Sequence, residues 1–417
     1  MATVEVTHMS NILVDQVVRC SETEYRPIEA PIDPHPTRGD WVNRGIEIYK
    51  EVFGADDYVK FSRNDVPFPM PENTRAERRK FRCVALKAKF EFAGKALLTG
   101  RRGTHMQGVG GKGTITVTSE PSFPDHEFFT PGRVFHCRLR HANASFYDDA
   151  ASQVRAASLK FADNNFDSPL DIIMNTGVIQ AFWSFDTFMA FVNARVQTRE
   201  DFWDPQREYM RLLPGALVGA IESERVAPAS YAEMLYHTCI VYPFRAKDGR
   251  LRYAKYRLVP VGLKQESGLL DDAKQREPWV QCRRTGDNHP RQYLPDDYRQ
   301  RLQKGPVEYQ LQIQLREFIE ERDTWEFFNG GRTWDSTIYP WHDLATVRIT
   351  EAMPDSQTEV TRMWLGHQPP SLGITCAFSG VDYRSLAFVR YRLYPWSRRA
   401  SWLLRTMGWQ RRLKTDF

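Results

Sequence analysis

Residues 99–117 read TGRRGTHMQGVGGKGTITV, and this stretch decides the class of fold. From Lys112 onward it alternates apolar and polar residues with β-branched types, which is the period of a half-buried strand. A glycine-rich run, Gly108 to Gly113, leads into that strand and lets the backbone approach a bulky group closely. We therefore predict a strand that follows either an ordinary turn or a ligand-binding one.

Strand patterns recur on both sides of this stretch. They are KFRCVALKAKFEF (80–92), RVFHCRLRHA (133–142), ASLKFAD (157–163), DIIMN (171–175), RYAKYRLVPV (252–261), EYQLQIQLREF (308–318) and LATVRIT (344–350). Many strands at irregular spacing, with helices mainly late in the chain, favour a closed antiparallel sheet over alternating βαβ units. We therefore predict an α+β protein in which helices surround one closed antiparallel β-barrel.

The 417 residues are expected to form one large domain with an extension at each end. Residues 1–40 are predicted to be irregular, because the run RPIEAPIDPHPTRG packs four prolines and a glycine into fourteen positions. A folded domain is predicted over residues 41–397. It begins with WVNRGIEIYKEVFG, whose apolar residues have helical spacing and whose last residue, Gly54, is typical of a helix C-terminal cap.

The composition is that of a globular protein, with 41% hydrophobic and 26% charged residues. No run of about 18 apolar residues occurs, and the N-terminus lacks a basic start followed by an apolar core. We therefore expect neither a membrane-spanning helix nor a secretory signal. Six cysteines lie far apart without the spacing of a zinc site, which is typical of reduced thiols and favours a cytoplasmic location.

The net charge of +5 is concentrated in residues 398–417, which are rich in arginine and predicted to form a basic amphipathic tail. Trp402, Leu403 and Trp409 give this tail an apolar side. Such a segment suits a solvated helix face, and it also suits peripheral attachment to a membrane. Nucleic acid is not an expected partner, since no recognised reader motif accompanies the charge. None of these patterns predicts an oligomeric state.

His105 stands between two arginines and the glycine-rich run of the first stretch. Arginine side chains can hold anionic groups such as carboxylates. The phosphate-binding motifs GxGxxG and GxxxxGK[ST] are both absent, so a phosphate loop is not predicted. Asn175, at the end of the apolar run in LDIIMNTGV, is a second candidate, because its amide can bond either its own turn or a ligand.

Arg390 and Tyr394 form a third candidate pair in LAFVRYRLYPW. They are four residues apart and share a helix face, and Pro395 favours the end of that helix. A tyrosine keeps its proton up to about pH 10, so a phenolate near neutral pH needs a strong positive partner. Ferric iron with a neighbouring guanidinium is such a partner, although the same spacing is common on half-exposed helices.

These segments, in this order, resemble the haem catalase superfamily. Its members carry an Arg three residues before a distal His, then a glycine-rich strand, an Asn followed by Thr, and an RxxxYP motif that holds the proximal Tyr. The corresponding residues here are Arg102, His105, Asn175, Arg390 and Tyr394.

Within the superfamily the chain is most similar to the catalase-related allene oxide synthases, which occur as domains fused to a lipoxygenase. The stretches FPDHEFFTPGR, RLRHAN, FRAKDGRLRYAKYR, RLQKGPVEYQLQIQ and QPPSLG carry the resemblance. It runs from about Trp41 to Trp396, which makes residues 41–397 a catalase-like haem domain. The residue before the distal His is Thr104, as in the allene oxide synthases, where typical catalases have Val.

The resemblance implies ferric haem b, buried between the barrel and a C-terminal helix. Tyr394 would be the axial iron ligand, supported by Arg390. Arg102 and Arg138 would pair with the haem propionates, and Arg140 is an alternative to Arg138 because it lies two residues away on the same strand face.

The resemblance also implies roles on the opposite face of the haem. His105 would handle the peroxide proton, while the Thr104 hydroxyl would restrain the imidazole by hydrogen bonding. Asn175 would offer a polar contact to the distal oxygen of the peroxide.

The implied activity is conversion of a polyunsaturated fatty-acid hydroperoxide to an allene oxide, a dehydration that requires no external reductant. A lipoxygenase on a separate chain would supply that substrate. A fatty-acid hydroperoxide lyase, a small catalase or organic-peroxide peroxidase, and a non-enzymatic haem or lipid carrier are the alternatives. The pocket shape that separates the synthase from the lyase is not encoded in any motif of this sequence.

Overall fold

The computed structural model describes residues 41–57, residues 102–373 except 103, 106, 119–122, 145–147, 184, 198–203, 320, 322, 324 and 329, and individual positions within 75–94 and 386–403. The predicted extension over residues 1–40 lies outside the described residues. So does the predicted tail, apart from two positions. Both boundaries remain predictions.

The strands follow the alternating segments of the sequence. They are β1 (Gly108–Val117), β2 (Val134–Asn143), β3 (Gln153–Lys160), β4 (Asp171–Thr176), β5 (Glu224–Arg225), β6 (Tyr236–His237), β7 (Tyr242–Arg245), β8 (Leu251–Pro260), β9 (Val307–Arg316) and β10 (Trp341–Ala352). Eight of them pair in the order β2, β1, β10, β9, β8, β6, β4, β3, and β3 pairs back with β2. The predicted closed antiparallel barrel is therefore confirmed.

Two short strands lie beside this ring. β5 pairs with the start of β3, and β7 pairs with β8 on the same edge as β6. β6 and β7 thus behave as one interrupted strand, with residues 238–241 between them. Thr238 holds the interruption to the barrel, since its backbone N–H donates to the carbonyl of Tyr256 over 2.9 Å.

Helices surround the barrel. The described α-helices are α1 (Trp41–Phe53), α2 (Phe185–Gln197), α3 (Asp204–Leu212), α4 (Pro214–Ser223), α5 (Asp272–Arg276), α6 (Tyr293–Lys304) and α7 (Asp355–Val360), with 3-10 turns at Tyr231–Glu233 and Trp325–Phe328. The predicted cap of the first helix is confirmed: Gly54 has a φ of +98°, and its N–H donates to the carbonyl of Lys50.

The strand predicted over KFRCVALKAKFEF is wrong, because Cys83, Leu86 and residues 88–90 are helical. Alanine, leucine and lysine, which favour helices, make up much of this segment, and alternation over so short a run does not separate the two structures. Ala88 is buried, whereas Leu86 and Phe90 are exposed.

The barrel interior is filled by side chains at alternate strand positions. Leu139, Leu159, Met174 and Tyr236 belong to this interior cluster. Because successive side chains of a strand point to opposite faces, their strand neighbours point to the outer face of the barrel. Asn175 is one of them, so the outer face is where the candidate site lies.

Candidate functional site

His105 adopts an uncommon backbone conformation just before β1. Its φ is +54°, in the left-handed region that costs a non-glycine residue about 1–3 kcal/mol. Both of its backbone groups are held: its N–H donates to the carbonyl of Ala144 over 3.1 Å, and its carbonyl accepts from Arg140 over 3.0 Å. The end of β2 therefore fixes His105, and with it the half-buried Thr104, in a strained turn.

Arg102 joins this turn to α7. Its guanidinium donates to the carbonyls of Thr358, Glu359 and Thr361, at distances of 3.4 and 3.1 Å for the first two. These carbonyls belong to the C-terminal end of α7, where a cation also interacts favourably with the helix dipole. Arg102 thus binds a helix end.

Arg138 is buried and lies beside the same helix end. Its Nε donates to Asp163 over 2.7 Å, and its Nη1 donates to Asn165 over 2.5 Å and to the hydroxyl of Thr361 over 3.0 Å. Arg102 and Arg138 therefore meet at Thr361. Arg140 is the arginine of β2 that contacts the backbone of His105.

The glycine run of β1 allows close packing between protein segments. A Cβ at Gly110 would lie 2.8 Å from the hydroxyl of Thr358 and 3.0 Å from the sulfur of Met353. A Cβ at Gly113 would collide with the carbonyl of Arg348 on β10. These glycines therefore let the backbone of β1 approach α7 and β10 closely.

Asn175 is fixed within the barrel wall, where its backbone pairs with Ala156 on β3 and with His237 on β6. The side chain is buried, and its Nδ2 donates to the sulfur of Cys239 over 3.5 Å. Its Oδ1 is buried and has no hydrogen-bond partner among the described residues. An unsatisfied buried acceptor costs about 1–3 kcal/mol, so this oxygen is suited to a ligand that donates a hydrogen bond.

The segment after Asn175 is clamped by α4. The hydroxyl of Thr176 donates to the carbonyl of Ser223 over 2.6 Å. Gly177 has a φ of +83°, and a Cβ there would lie 2.6 Å from the Cα of Ser223. Gly219 of α4 leaves room for the backbone of Gln180 in the same way. The two segments therefore meet backbone on backbone, with no side chain between them.

Arg390 and Tyr394 form the predicted pair. The Nε of Arg390 donates to the Tyr394 hydroxyl oxygen over 2.9 Å, and both residues are helical. Trp364 holds this helix, since its Nε1 donates to the carbonyl of Tyr391 and the two rings stack with centroids 5.3 Å apart. The backbone N–H of Trp364 in turn donates to Asp171 at the start of β4, which connects the helix to the strand that carries Asn175.

Arg390 interacts electrostatically with Cys239, the residue that binds the Asn175 side chain. Burial raises the pKa of the Cys239 thiol, and the nearby Arg390 guanidinium offsets part of that rise. Desolvation lowers the pKa of Arg390, but Tyr394, Cys239 and Tyr242 together raise it above its ordinary value. Arg390 therefore stays charged beside the Tyr394 oxygen and the Cys239 thiol.

A row of paired residues places the His105 turn and Asn175 at one level of the barrel. Gly108 pairs with Ala142, Ala142 with Ala156, and Ala156 with Asn175. Three strand spacings separate the ends of the row, about 14 Å along the sheet. The structure thus brings the His105 turn, Asn175 and the Arg390 pair to one region, whereas Arg102 and Arg138 bind α7.

Cys239 and Trp364 are site residues that sequence reasoning missed. Neither belongs to a motif with catalytic spacing. The contact between Asn175 and Cys239 arises from the pairing of β4 with β6, and β6 has only two residues. Only the order of strands in the barrel would have revealed it.

No described helix is both long and apolar enough to cross a membrane. Within the same residues, no three His, Cys, Asp or Glu side chains are grouped so as to hold a metal ion.

Comparison with known proteins supplies further information, although no family model matches the chain. The allene oxide synthase-lipoxygenase protein of Plexaura homomalla is 39% identical over 361 residues, covering 85% of this chain and 33% of that protein. The catalase-related peroxidase of Mycolicibacterium paratuberculosis is 27% identical over 274 residues, covering 62% of this chain and 77% of that protein. The chain therefore spans about a third of the length of the first relative.

A solved structure confirms the type of barrel. A fungal catalase superposes with a TM-score of 0.57 at 19% identity, covering 72% of this chain and 59% of the catalase chain. At this identity the likeness establishes the fold.

Proposed function

We propose that the chain is a member of the catalase-like superfamily, that it binds haem, and that it converts a polyunsaturated fatty-acid hydroperoxide to an allene oxide and water. The observation that carries the proposal is the 39% identity to an allene oxide synthase-lipoxygenase protein over most of this chain. The reaction removes water from the hydroperoxide without net oxidation, so it needs no external reductant.

The described residues suit a haem, which we propose to be ferric haem b. The Tyr394 oxygen, which accepts a hydrogen bond from a guanidinium, would hold the haem iron, and Asn175 offers a buried acceptor without a partner among the described residues. When bound, the haem iron supplies the one-electron chemistry that cleaves the peroxide O–O bond. Arg390 supplies positive charge and a hydrogen bond to the Tyr394 oxygen.

On the other side of the site, His105 holds the peroxide proton on an imidazole nitrogen. The hydroxyl of the adjacent Thr104 is proposed to restrain that imidazole by hydrogen bonding, which would disfavour the proton shuttling needed for dismutation of hydrogen peroxide. The strained turn fixes the backbone that carries both side chains.

The propionate role proposed for Arg102 and Arg138 requires a change of partners. Arg138 binds Asp163, and both arginines bind residues at the end of α7. Carboxylates of the cofactor would have to replace some of these contacts. Arg140, which binds the backbone of His105, is already in the site and is the alternative partner.

A second candidate function is that of an organic-peroxide peroxidase. The specific observation in its favour is the similarity to a catalase-related peroxidase over 62% of the chain. Such an enzyme would consume a reducing co-substrate in proportion to peroxide. A hydroperoxide lyase would instead release short aldehydes.

We also propose that a lipoxygenase reaction supplies the substrate, since the Plexaura homomalla relative is named for both activities. The basic residues 398–417 are proposed to attach a cytoplasmic protein to anionic membranes. Sedimentation with anionic vesicles tests this second proposal, and binding that persists after deletion of residues 398–417 would contradict it.

The activity test loads the purified protein with haem and supplies, in parallel, hydrogen peroxide and a polyunsaturated fatty-acid hydroperoxide. Rapid loss of the conjugated diene, with ketols or cyclopentenones as products and little oxygen from hydrogen peroxide, is the expected result. Vigorous oxygen evolution with an untouched lipid hydroperoxide would overturn the proposal.

A further inference from the structure

Cys239 is the described residue that binds the side chain of Asn175. It lies in the interruption between β6 and β7 and is 4% exposed. The backbone N–H of the preceding Thr238 donates to Tyr256, and the Cys239 carbonyl packs so closely on Gly330 that a Cβ there would lie 2.3 Å from it. The thiol therefore occupies a fixed position beside Asn175.

The two ends of the Asn175 amide have different surroundings. Nδ2 donates to the Cys239 sulfur over 3.5 Å, whereas Oδ1 is buried without a partner among the described residues. An amide nitrogen can only donate and an amide oxygen can only accept, so the orientation decides which partner the site prefers. With Nδ2 bound to sulfur, the part of the Asn175 amide that remains for the substrate is Oδ1, a hydrogen-bond acceptor.

We propose that Cys239 is a positioning residue that fixes the Asn175 amide with Oδ1 presented to the substrate, so that Asn175 accepts a hydrogen bond from the hydroperoxide O–H. This inference rests on the function proposed above. It differs from a role in which Asn175 donates to the distal oxygen. A hydroperoxide group has one O–H donor, so this hydrogen bond belongs to the neutral hydroperoxide as it binds and is given up when the proton passes to His105.

The charges around Cys239 agree with this arrangement. Burial raises the pKa of the thiol, with smaller opposing effects from Arg390, the Asn175 hydrogen bond and Lys255. The thiol stays protonated, and its sulfur remains a weak neutral acceptor for Nδ2. A thiolate there would bind both Asn175 and Arg390 more strongly.

The test uses fluoride, an anion that accepts hydrogen bonds but donates none, as a ligand of the haem-loaded protein. Cys239→Val keeps the volume of the side chain but removes the acceptor, so the amide can turn Nδ2 toward the site. We expect fluoride to bind about tenfold more tightly, as one hydrogen bond to a charged acceptor allows. The KM for the hydroperoxide should rise more than kcat falls.

Two variants serve as controls. Cys239→Ser retains an oxygen that accepts from Nδ2 and should leave the fluoride dissociation constant near that of the parent. Cys137→Val removes a fully buried thiol elsewhere in the barrel and should also leave it unchanged. Equal fluoride affinity in the parent and in Cys239→Val, with a change in Asn175→Leu, would overturn the inference without touching the proposed function.

A second measurement needs no haem. The S–H stretching band of Cys239, assigned from the difference between the parent and Cys239→Ser, reports whether the thiol donates a hydrogen bond. The proposal expects a band that moves little in Asn175→Leu, because sulfur is the acceptor. A low-frequency band that rises in Asn175→Leu would show the thiol donating to Oδ1, and would overturn the proposal. Failure to take up haem would instead count against the proposed function.

Discussion

The Nε of Arg390 lies 2.9 Å from the hydroxyl oxygen of Tyr394 and donates a hydrogen bond to it, one helical turn away in sequence. This geometry places the positive charge of the Arg390 guanidinium beside the oxygen that is proposed to bind iron. It also predicts which substitution should remove the ligand and which should weaken it.

Tyr394→Phe should abolish the axial ligand while leaving the ring in place. We expect the ferric absorption spectrum of the haem-loaded protein to change and hydroperoxide turnover to fall by at least ~10²-fold, because the axial ligand is a chief control of haem reactivity. Arg390→Lys keeps the charge but loses the directed Nε donor, and should have a smaller effect. An unchanged spectrum in Tyr394→Phe would show that another residue is the ligand.

Thr104→Val should increase oxygen evolution from hydrogen peroxide. The substitution removes the hydroxyl that can restrain the adjacent imidazole while keeping the branched shape, and a general acid–base group contributes about 10²–10⁴-fold when it is free to act. An oxygen electrode, with Thr104→Ser as the matched control, measures the effect. If turnover of hydrogen peroxide does not rise, Thr104 is not the restraint.

Gly177→Ala should destabilise the protein and disturb Asn175. Alanine would have to keep the φ of +83° that Gly177 has, and its Cβ would collide with the backbone of Ser223. Together these two effects should lower the free energy of unfolding by about 2–4 kcal/mol. Gly249→Ala is the matched control, because Gly249 has a φ of +77° with nothing within 4 Å. Denaturant unfolding should show a loss of only ~1 kcal/mol for the control. Equal losses in the two variants would show that α4 does not clamp this segment.

Stability should fall in acid because two histidines are buried in the neutral form. Burial lowers the pKa of His141 to about 3 and that of His126 to about 4. The unfolded chain binds these protons near pH 6.5, so the folded state is disfavoured as pH drops from about 6.5 toward 4, by ~1.4 kcal/mol per pH unit for each histidine.

Urea unfolding at several pH values between 7 and 4 checks this prediction. His126→Gln should reduce the slope of stability against pH, because it removes one of the two buried imidazoles. The same slope in His126→Gln and the parent would contradict the assignment.

The fold could be predicted from the sequence wherever alternation was long and rich in β-branched residues, as in β1 and β10. The prediction failed at residues 80–92, where apolar and polar residues that favour helices happen to alternate. For the site, local motifs located His105, Asn175 and the Arg390 pair, because each lies in its own short segment. The sulfur that binds Asn175 could not be foreseen, since it depends on which strands become neighbours when the barrel closes.

Arg138 posed a different difficulty. Arg138 and Arg140 point to the same face of β2, and sequence alone does not distinguish them. Only the tertiary contacts do: Asp163 and α7 bind the first, whereas the turn before β1 binds the second.

The meeting of Arg102 and Arg138 at Thr361 has a consequence for local unfolding. Any anion that draws either guanidinium toward itself competes with the carbonyls and hydroxyl at the end of α7. A six-residue helix has little stability of its own, so its last turn would open more often once these contacts are shared. Backbone amide hydrogen exchange over residues 355–361 would then differ between the empty and the occupied protein. The stability of this short helix would therefore depend on whether the site is occupied.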